Sequence, residues 1–316
     1  MDHFLSMDAF VRVAEVGSFA EVARQLNVSK SVITTRVQQL EEFVGTPLFH
    51  RSTRTVRLSE VGETYYHECA ELISRANEVF DQMRKFRGSP AGTLRIHGLP
   101  GLVLGHMAVF LQRFREQYPG ITFDFVVNDA VVDPVREGFD CALQIFAPIS
   151  EDLIQKEIFQ VRRIFCAAPS YLQAHGPIKH PLELPRHPLG LYSRYPTKDR
   201  WVFSDGLEKF EMELKPTLRS NAVHLLKDYA LAGGAVVCLP TLVAATEIVA
   251  GRLVPVLTDY EMAPYALSAV YPKTQRNSIK LRLFIDQLIS DFSDCPPWDR
   301  ELVTNGFLPP PTDAWK

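Results

Sequence analysis

Met7, Phe10, Val11 and Ala14 recur at the spacing of one helical face, and Gly17 closes that run. Ser18 followed by Glu21 is a capping-box pattern and opens a second predicted helix through Phe19, Val22, Ala23 and Leu26. A short turn at Asn27 and Val28 follows, with Ser29 placed as the N-cap of a third helix. There Ile33, Val37, Leu40 and Val44 fall at i, i+4, i+7 and i+11, and Gly45 stops the stripe. Pro47-Leu48-Phe49 and HRSTRTVRL, with arginines at 51, 54 and 57, predict two short strands around Ser52–Thr53. Residues 59 to 87 predict one long helix. Its Tyr65, Cys69, Leu72, Ala76, Val79, Met83 and Phe86 make a heptad seam, which RGSPAG (87–92) breaks as a linker.

From Thr93 the texture becomes α/β. Apolar runs at 94–96, 121–127, 141–146, 164–168, 235–239, 253–257 and 267–271 predict buried parallel strands. They alternate with predicted helices near 101–117, 221–233, 241–250 and 277–292. After Asp294 come Pro296-Pro297 and Pro309-Pro310-Pro311, the pattern of an extended appendage. The expected division is therefore 1–58, 59–89, 90–294 and a Pro-rich tail at 295–316.

Composition adds little until it is resolved along the chain. With 46% hydrophobic and 22% charged residues and a net charge of −3, the whole is an ordinary globular protein with no global attraction to nucleic acid. The five scattered cysteines, with no CxxC pair, argue against a disulfide framework or zinc ribbon and fit a reducing compartment. The N-terminus lacks a signal-peptide pattern and no apolar stretch is long enough for a bilayer, so a cytoplasmic protein without membrane contact is expected.

Over residues 24–57 the balance differs: Arg24, Lys30, Arg36, Arg51, Arg54 and Arg57 face only Glu41 and Glu42, six cations against two acids, or +4. With Ile33 at the centre of the buried side of the third helix, 100° per residue places Ser31, Thr34, Thr35, Gln38 and Gln39 outward. Lys and Glu would stabilise and solubilise such a face better. Short uncharged donors and acceptors near a helix N-terminus are instead what base edges in the major groove require, with cations nearby for phosphates. The alternative is a solvated helix of a small bundle. The tight turn and the arginine-bearing hairpin favour DNA.

Residues 4 to 62, through GSFAEVARQLNVSKSVITTRVQQLEEFVGTPLFHRSTRTVRLSEVG, resemble the DNA-binding domain of LysR-type transcriptional regulators. Ala23, Leu26, Val28, Ser29, Ser31, Leu40, Glu41, Gly45, Leu48, Phe49, Arg51, Arg54, Leu58 and Gly62 stand at signature positions. Lys30 stands where Gln is frequent, and Thr34 and Thr35 where Ser and Arg are frequent. The resemblance implies an α/β chain with an N-terminal all-α winged helix-turn-helix and a two-lobed C-terminal domain like periplasmic binding proteins. Ser29, Lys30, Ser31, Thr34, Thr35, Arg36, Gln38, Arg51 and Arg54 become candidate DNA contacts. The seam, through Tyr65, Leu72, Ala76, Val79 and Met83, becomes a helix pairing two subunits, its alternative being packing on its own domain. The protein is then a homodimer or homotetramer on promoter DNA, answering to a small molecule.

Ligands of two-lobed folds sit between lobes, at strand C-termini and helix N-termini. That makes Leu99, Pro100, Gly101, Gln144, Phe146, Tyr192, Ser193, Arg194 and Asn221 candidate effector residues, although Asn221 can serve only as a helix cap and Phe146 only as core. A helix N-terminus, Arg194 and two aromatic rings suit a small organic acid. No hydrolase elbow, phosphate loop or metalloprotease motif occurs, the histidines are dispersed, and no catalytic residue, cofactor or metal is expected. Two rivals stay open: a binding protein or enzyme with an incidental N-terminal domain, and a regulator switched by a partner or by thiol oxidation.

Overall fold

The fold is that of a computed structural model, which describes residues 2–51, 56–86, 90–195 and 198–310, without the side chains of 51, 77, 78 and 80–86. Helix α1 (His3–Val16) ends at Gly17, whose φ of 69° suits glycine. Ser18 Oγ accepts the Glu21 N–H and starts α2 (Phe19–Gln25), while the Glu21 carboxylate turns to Arg24 at 2.6 Å. The turn before α3 (Lys30–Val44) passes through Asn27 at φ 53°, a conformation asparagine tolerates. Ile33, Val37 and Leu40 of α3 are buried against Phe10, Val11 and Val13 of α1, forming a core of their own.

Strands β1 (Phe49–Arg51) and β2 (Val56–Leu58) pair antiparallel as the expected wing. Glu41 Oε1 holds its base, accepting the Leu48 N–H at 2.9 Å and the Phe49 N–H at 3.2 Å. A Cβ on Gly62 would stand 2.0 Å from the Leu48 carbonyl oxygen, so only glycine lets the next helix start there. That helix, α4 (Glu60–Phe86), splits the predicted seam. Tyr65 packs at 5.7 Å from the Phe10 ring, and Cys69 is buried in the same N-terminal core. Tyr65 is therefore spent within its own chain, and the stripe left open to a partner is Leu72 (57% exposed) and Val79 (46% exposed), with Ala76 half-buried between them. Met83 lies in the helix, but its side chain is outside the described residues.

The remainder is two lobes. The first holds β3 (Gly92–Gly98), α5 (Pro100–Gln117), β4 (Ile121–Val127), α6 (Pro134–Glu137), β5 (Cys141–Gln144) and β6 (Leu153–Val161). Arg162 alone separates β6 from β7 (Arg163–Ala167), which begins the second lobe. There follow α7 (Pro169–His175), β8 (Leu189–Tyr192), the hairpin of β9 (Arg200–Ser204) with β10 (Lys209–Glu213), β11 (Leu218–Ser220), α8 (Val223–Leu231), β12 (Val236–Pro240), α9 (Thr241–Val249) and β13 (Val254–Val256). Residues 257–264 return the chain to the first lobe for β14 (Tyr265–Pro272), α10 (Ile279–Phe292) and α11 (Pro297–Thr304). The sheets run β4-β3-β5-β14-β6 and β11-β8-β12-β7-β13.

Three expectations are corrected. The sheets are mixed rather than parallel, because β14 and β7, the strands that follow each crossing, run antiparallel to their neighbours. Helix α5 is broken at Leu104 (ψ 102°) and Gly105 (φ 112°), so a single turn precedes the break. The C-terminal segment is not an extended appendage: α11 packs on α9, with Trp298 5.4 Å from Phe159 and from Phe292 and with Leu302 fully buried. Pro297 sits at the first turn, where a missing N–H costs nothing. Residues 311–316 lie outside the described residues.

If α11 is integral, Trp298→Ala should destabilise the two-lobed domain by about 3–5 kcal/mol, measured by chemical denaturation. A change under about 1 kcal/mol would return this segment to the status of an appendage.

Candidate nucleic-acid interface and effector cleft

The outward face of α3 is built because its inward face alone secures the helix. With Ile33, Val37 and Leu40 buried and Gly45 (φ 77°) closing the C-terminus, helix stability does not rest on the opposite arc. That arc exposes Lys30, Ser31, Thr35, Gln38 and Gln39. Ser29 occupies the N-cap position but its hydroxyl makes no cap bond; it lies 2.8 Å from Ser31 Oγ. Thr34 is half-buried and donates its hydroxyl to the Lys30 carbonyl at 2.9 Å, leaving only its oxygen lone pairs for other partners. Arg36 is half-buried beside the exposed row, and Arg57 is exposed on β2. Arg51 ends β1 without a described side chain, and Arg54 lies outside the described residues.

Between the lobes, Leu99 and Gly101 at the start of α5 meet Tyr192 at the end of β8 around a cavity of about 40 Å³. The lobes are closed on it. A Cβ on Gly101 would stand 3.3 Å from a Val243 methyl of the second lobe, so the lobes approach closely at this glycine. Tyr192 Oη donates to Asp129 Oδ1 at 3.1 Å, a buried hydrogen bond from one lobe to the other. Burial raises the Asp129 carboxyl pKa above its ordinary value, against the lowering by the Tyr192 bond and by Arg194, His224 and His97. Burial likewise raises the Tyr192 phenol.

Of the predicted effector residues, Leu99, Gly101 and Tyr192 line this cavity, while Pro100, Gln144, Phe146, Ser193, Arg194 and Asn221 do not. Gln144 is buried with its amide donating to the Phe146 carbonyl at 3.2 Å, and the Phe146 ring fills core. Ser193 is held by its N–H to the Ser220 carbonyl, and Arg194 is exposed, acting on Asp129 through its charge. Asn221 does not cap α8; Ala222 holds that position, and Ser220 Oγ accepts the Ala222 N–H.

Asp129 and Tyr195, which also line the cavity, escaped the sequence reading. Asp129 stands two residues past the strand ending at Val127, so the rule applied to the other strand ends would have found it. Nothing local marks Tyr195. A larger cavity, about 690 Å³, lies beside the two crossings, between residues such as Arg162, Phe165, Met262 and Leu308. Cys166 and Cys238 sit on β7 and β12, and burial pushes both thiols up, Cys238 to about 12. Among the described residues no group of three or more His, Cys, Asp or Glu side chains converges to hold a metal ion. Nor is any helix among them long and apolar enough to cross a membrane.

A winged helix-turn-helix, a long connecting helix and a two-lobed domain closed on an inter-lobe cavity define a DNA-binding regulator with a ligand-sensing module. The comparisons agree: residues 4–63 match the model of the bacterial regulatory helix-turn-helix protein, lysR family, and residues 87–293 that of the LysR substrate binding domain. The chain belongs to the LysR-type transcriptional regulators, and it is a DNA-binding regulator of the effector-responsive kind typical of that family. It is 30% identical to the HTH-type transcriptional regulator YhjC of Escherichia coli K12 over 91% of this chain and 97% of that one. It is 28% identical to the transcriptional activator AaeR of the same organism, over 97% and 99%. Among solved structures it resembles CrgA of Neisseria meningitidis at 26% identity and TM-score 0.58, covering 90% of this chain and 97% of that one.

Proposed function

We propose that α3 lies in the major groove, with Ser31, Thr35 and Gln38 on base edges, Ser29 and Thr34 accepting at its N-terminal end, and Lys30, Arg36, Arg51 and Arg54 on phosphates. The supporting observation is an exposed row of uncharged hydrogen-bonding groups on a helix whose stability does not need them. Arg51→Ala should weaken operator binding regardless of sequence and reduce the salt slope by about one unit, whereas Thr35→Ala should change preference at particular base pairs. An unaltered salt dependence for Arg51→Ala, followed by fluorescence anisotropy, sinks the wing assignment.

The chain works as a homodimer or homotetramer paired through the exposed part of α4, since two half-sites one DNA turn apart need recognition helices about 34 Å apart. Exposed Leu72 and Val79, one heptad apart, support this. Leu72→Asp with Val79→Asp should lower the mass found by light scattering and cost operator affinity through lost bivalency. A full-mass species that binds like wild type excludes the seam. The same reading places the protein in the cytoplasm, at its promoter, as a regulator rather than an enzyme; the regulators it resembles support that. Raised pKa values at Cys166 and Cys238 count against a thiol switch on those strands, because the thiolate is the reactive form.

The effector is a small organic acid with an apolar body, entering when the lobes part. Leu99, Leu102, Val223 and Leu242 supply the apolar walls, and Arg194 the nearby positive charge. Asp129 sets a condition on this chemistry, because an ionised carboxylate beside a bound anion repels it. Burial raises its pKa, so affinity for a carboxylate should rise as pH falls through the range in which Asp129 takes up its proton. Asp129→Asn should bind with affinity independent of pH over that interval. Calorimetry that finds wild type and Asp129→Asn sharing one pH profile, or tighter binding of amines than acids, overturns the organic-acid reading.

A further inference from the structure

Eleven residues, Asn128 to Gly138, touch both ends of the regulatory problem. At one end Asp129 accepts the Tyr192 hydroxyl from the second lobe. Beside it Asn128 Oδ1 bridges the Ala130 N–H at 2.8 Å and His97 Nε2 at 3.0 Å, fixing the start of the segment on β3. At the other end Asp133 caps the short α6, accepting the Val135 N–H at 3.0 Å and the Arg136 N–H at 3.4 Å. The Arg136 carbonyl is taken up by the DNA-binding domain: Gln25 Nε2, on the last residue of α2, donates to it at 3.0 Å and lies 3.4 Å from Val135 O, which also accepts the Gly138 N–H. Val135 packs on the N-terminal core, and a Cβ on Gly138 would stand 3.3 Å from Gln25 Cδ.

The middle of the segment is held differently. Val132, Phe139 and Ala142 form a small buried cluster, with Val126 and Ala130 against it, separate from the cores of both domains. The middle of the strip can therefore shift without repacking the large core of the two lobes, while Val135 carries the shift to the N-terminal core.

We propose that Asn128–Gly138 is the link through which the effector cleft acts on the helix-turn-helix unit. Parting the lobes breaks the Tyr192–Asp129 bond, releases the strip at its cleft end, and changes how α6 presents its carbonyls to Gln25. Only five residues separate Asp129 from Val135, so the path is short and continuous in the backbone. Groups already buried at the contact favour a defined docked position. The Tyr66 hydroxyl of α4 donates to the Glu15 carboxylate of α1 at 3.3 Å, and burial, with Asp133 of the strip adding to it, holds that carboxyl at about 7.

This inference rests on reading the inter-lobe cavity as the effector site, yet it can be tested with no effector present. Hydrogen exchange read by mass spectrometry on the full chain would compare wild type with Tyr192→Phe and with Gln25→Ala. Tyr192→Phe should speed exchange across residues 134–139 and also 19–27, by about fivefold, the factor corresponding to one hydrogen bond of about 1 kcal/mol. By reciprocity Gln25→Ala should loosen residues 128–133. Effects of Tyr192→Phe confined to the cleft, with 19–27 as in wild type, refute the link. So does a Gln25→Ala effect that stops at α6. A cleft that binds no organic acid in calorimetry would fail the effector reading separately, leaving these exchange patterns as they are.

Discussion

A guanidinium among three aromatic rings fixes where the chain crosses between lobes. Arg163 opens β7 one residue after β6 has ended, and its charge lies 4.5 Å from the Tyr265 ring, 4.8 Å from Tyr195 and 5.2 Å from Trp201. Its Nη2 donates to the Ala263 carbonyl on the returning segment, tying the two crossings together. A buried charge is tolerable only if something replaces water around it, and here the ring faces and one carbonyl do so. Everything that makes this a two-lobed sensor depends on the crossings staying paired, because they are where the covalent chain joins the lobes. Tyr195 belongs both to this cage and to the cavity wall, so hinge and cleft share a side chain.

How much of this the sequence disclosed depended on how each element earns its stability. Helices α1 to α4 bury a regular stripe of their own, and the stripe, the glycine stops and the Ser18 cap are all visible in one dimension. The largely buried strands β5, β7 and β12 likewise announce themselves as apolar runs. Strand β6, with the sequence LIQKEIFQV, was invisible to that test, since it lies at the edge of its sheet and polar residues interrupt its apolar ones, of which only Ile158, Phe159 and Val161 are buried. Helix α11 was masked by prolines that mark its beginning. The α4 seam was legible as a stripe, but a stripe does not say what covers it: Tyr65 and Cys69 turned out to face their own domain.

The site divides in the same way. Residues on α3 were legible because a helix converts spacing directly into direction. Cleft residues were legible only at strand ends whose neighbours were also recognised, as with Leu99, Gly101 and Tyr192. Gln144 and Phe146 fall outside the cavity lining because the Gln144 amide turns back onto the Phe146 carbonyl and the Phe146 ring fills core. Asp129 was open to the same strand-end rule; what the sequence does not carry is its bond to Tyr192, 63 residues away.

The opposing demands on the two ends of the chain explain why so much of the structure is concerned with separation. DNA contact requires a local positive surface, and residues 24–57 carry it on a chain whose net charge is −3. A carboxylate needed for that surface's architecture, Glu41, is removed from the DNA side by giving its oxygen to two backbone N–H groups at the wing base. Arg24, which would add to the surface, is instead neutralised by Glu21. At the inter-lobe cavity Asp129 and Tyr192 are buried, and that burial is the main influence on their pKa values. A surface that meets a polyanion in water and a cleft that shields its polar groups from water can then share one chain, joined by α4 and touching again where Gln25 meets α6.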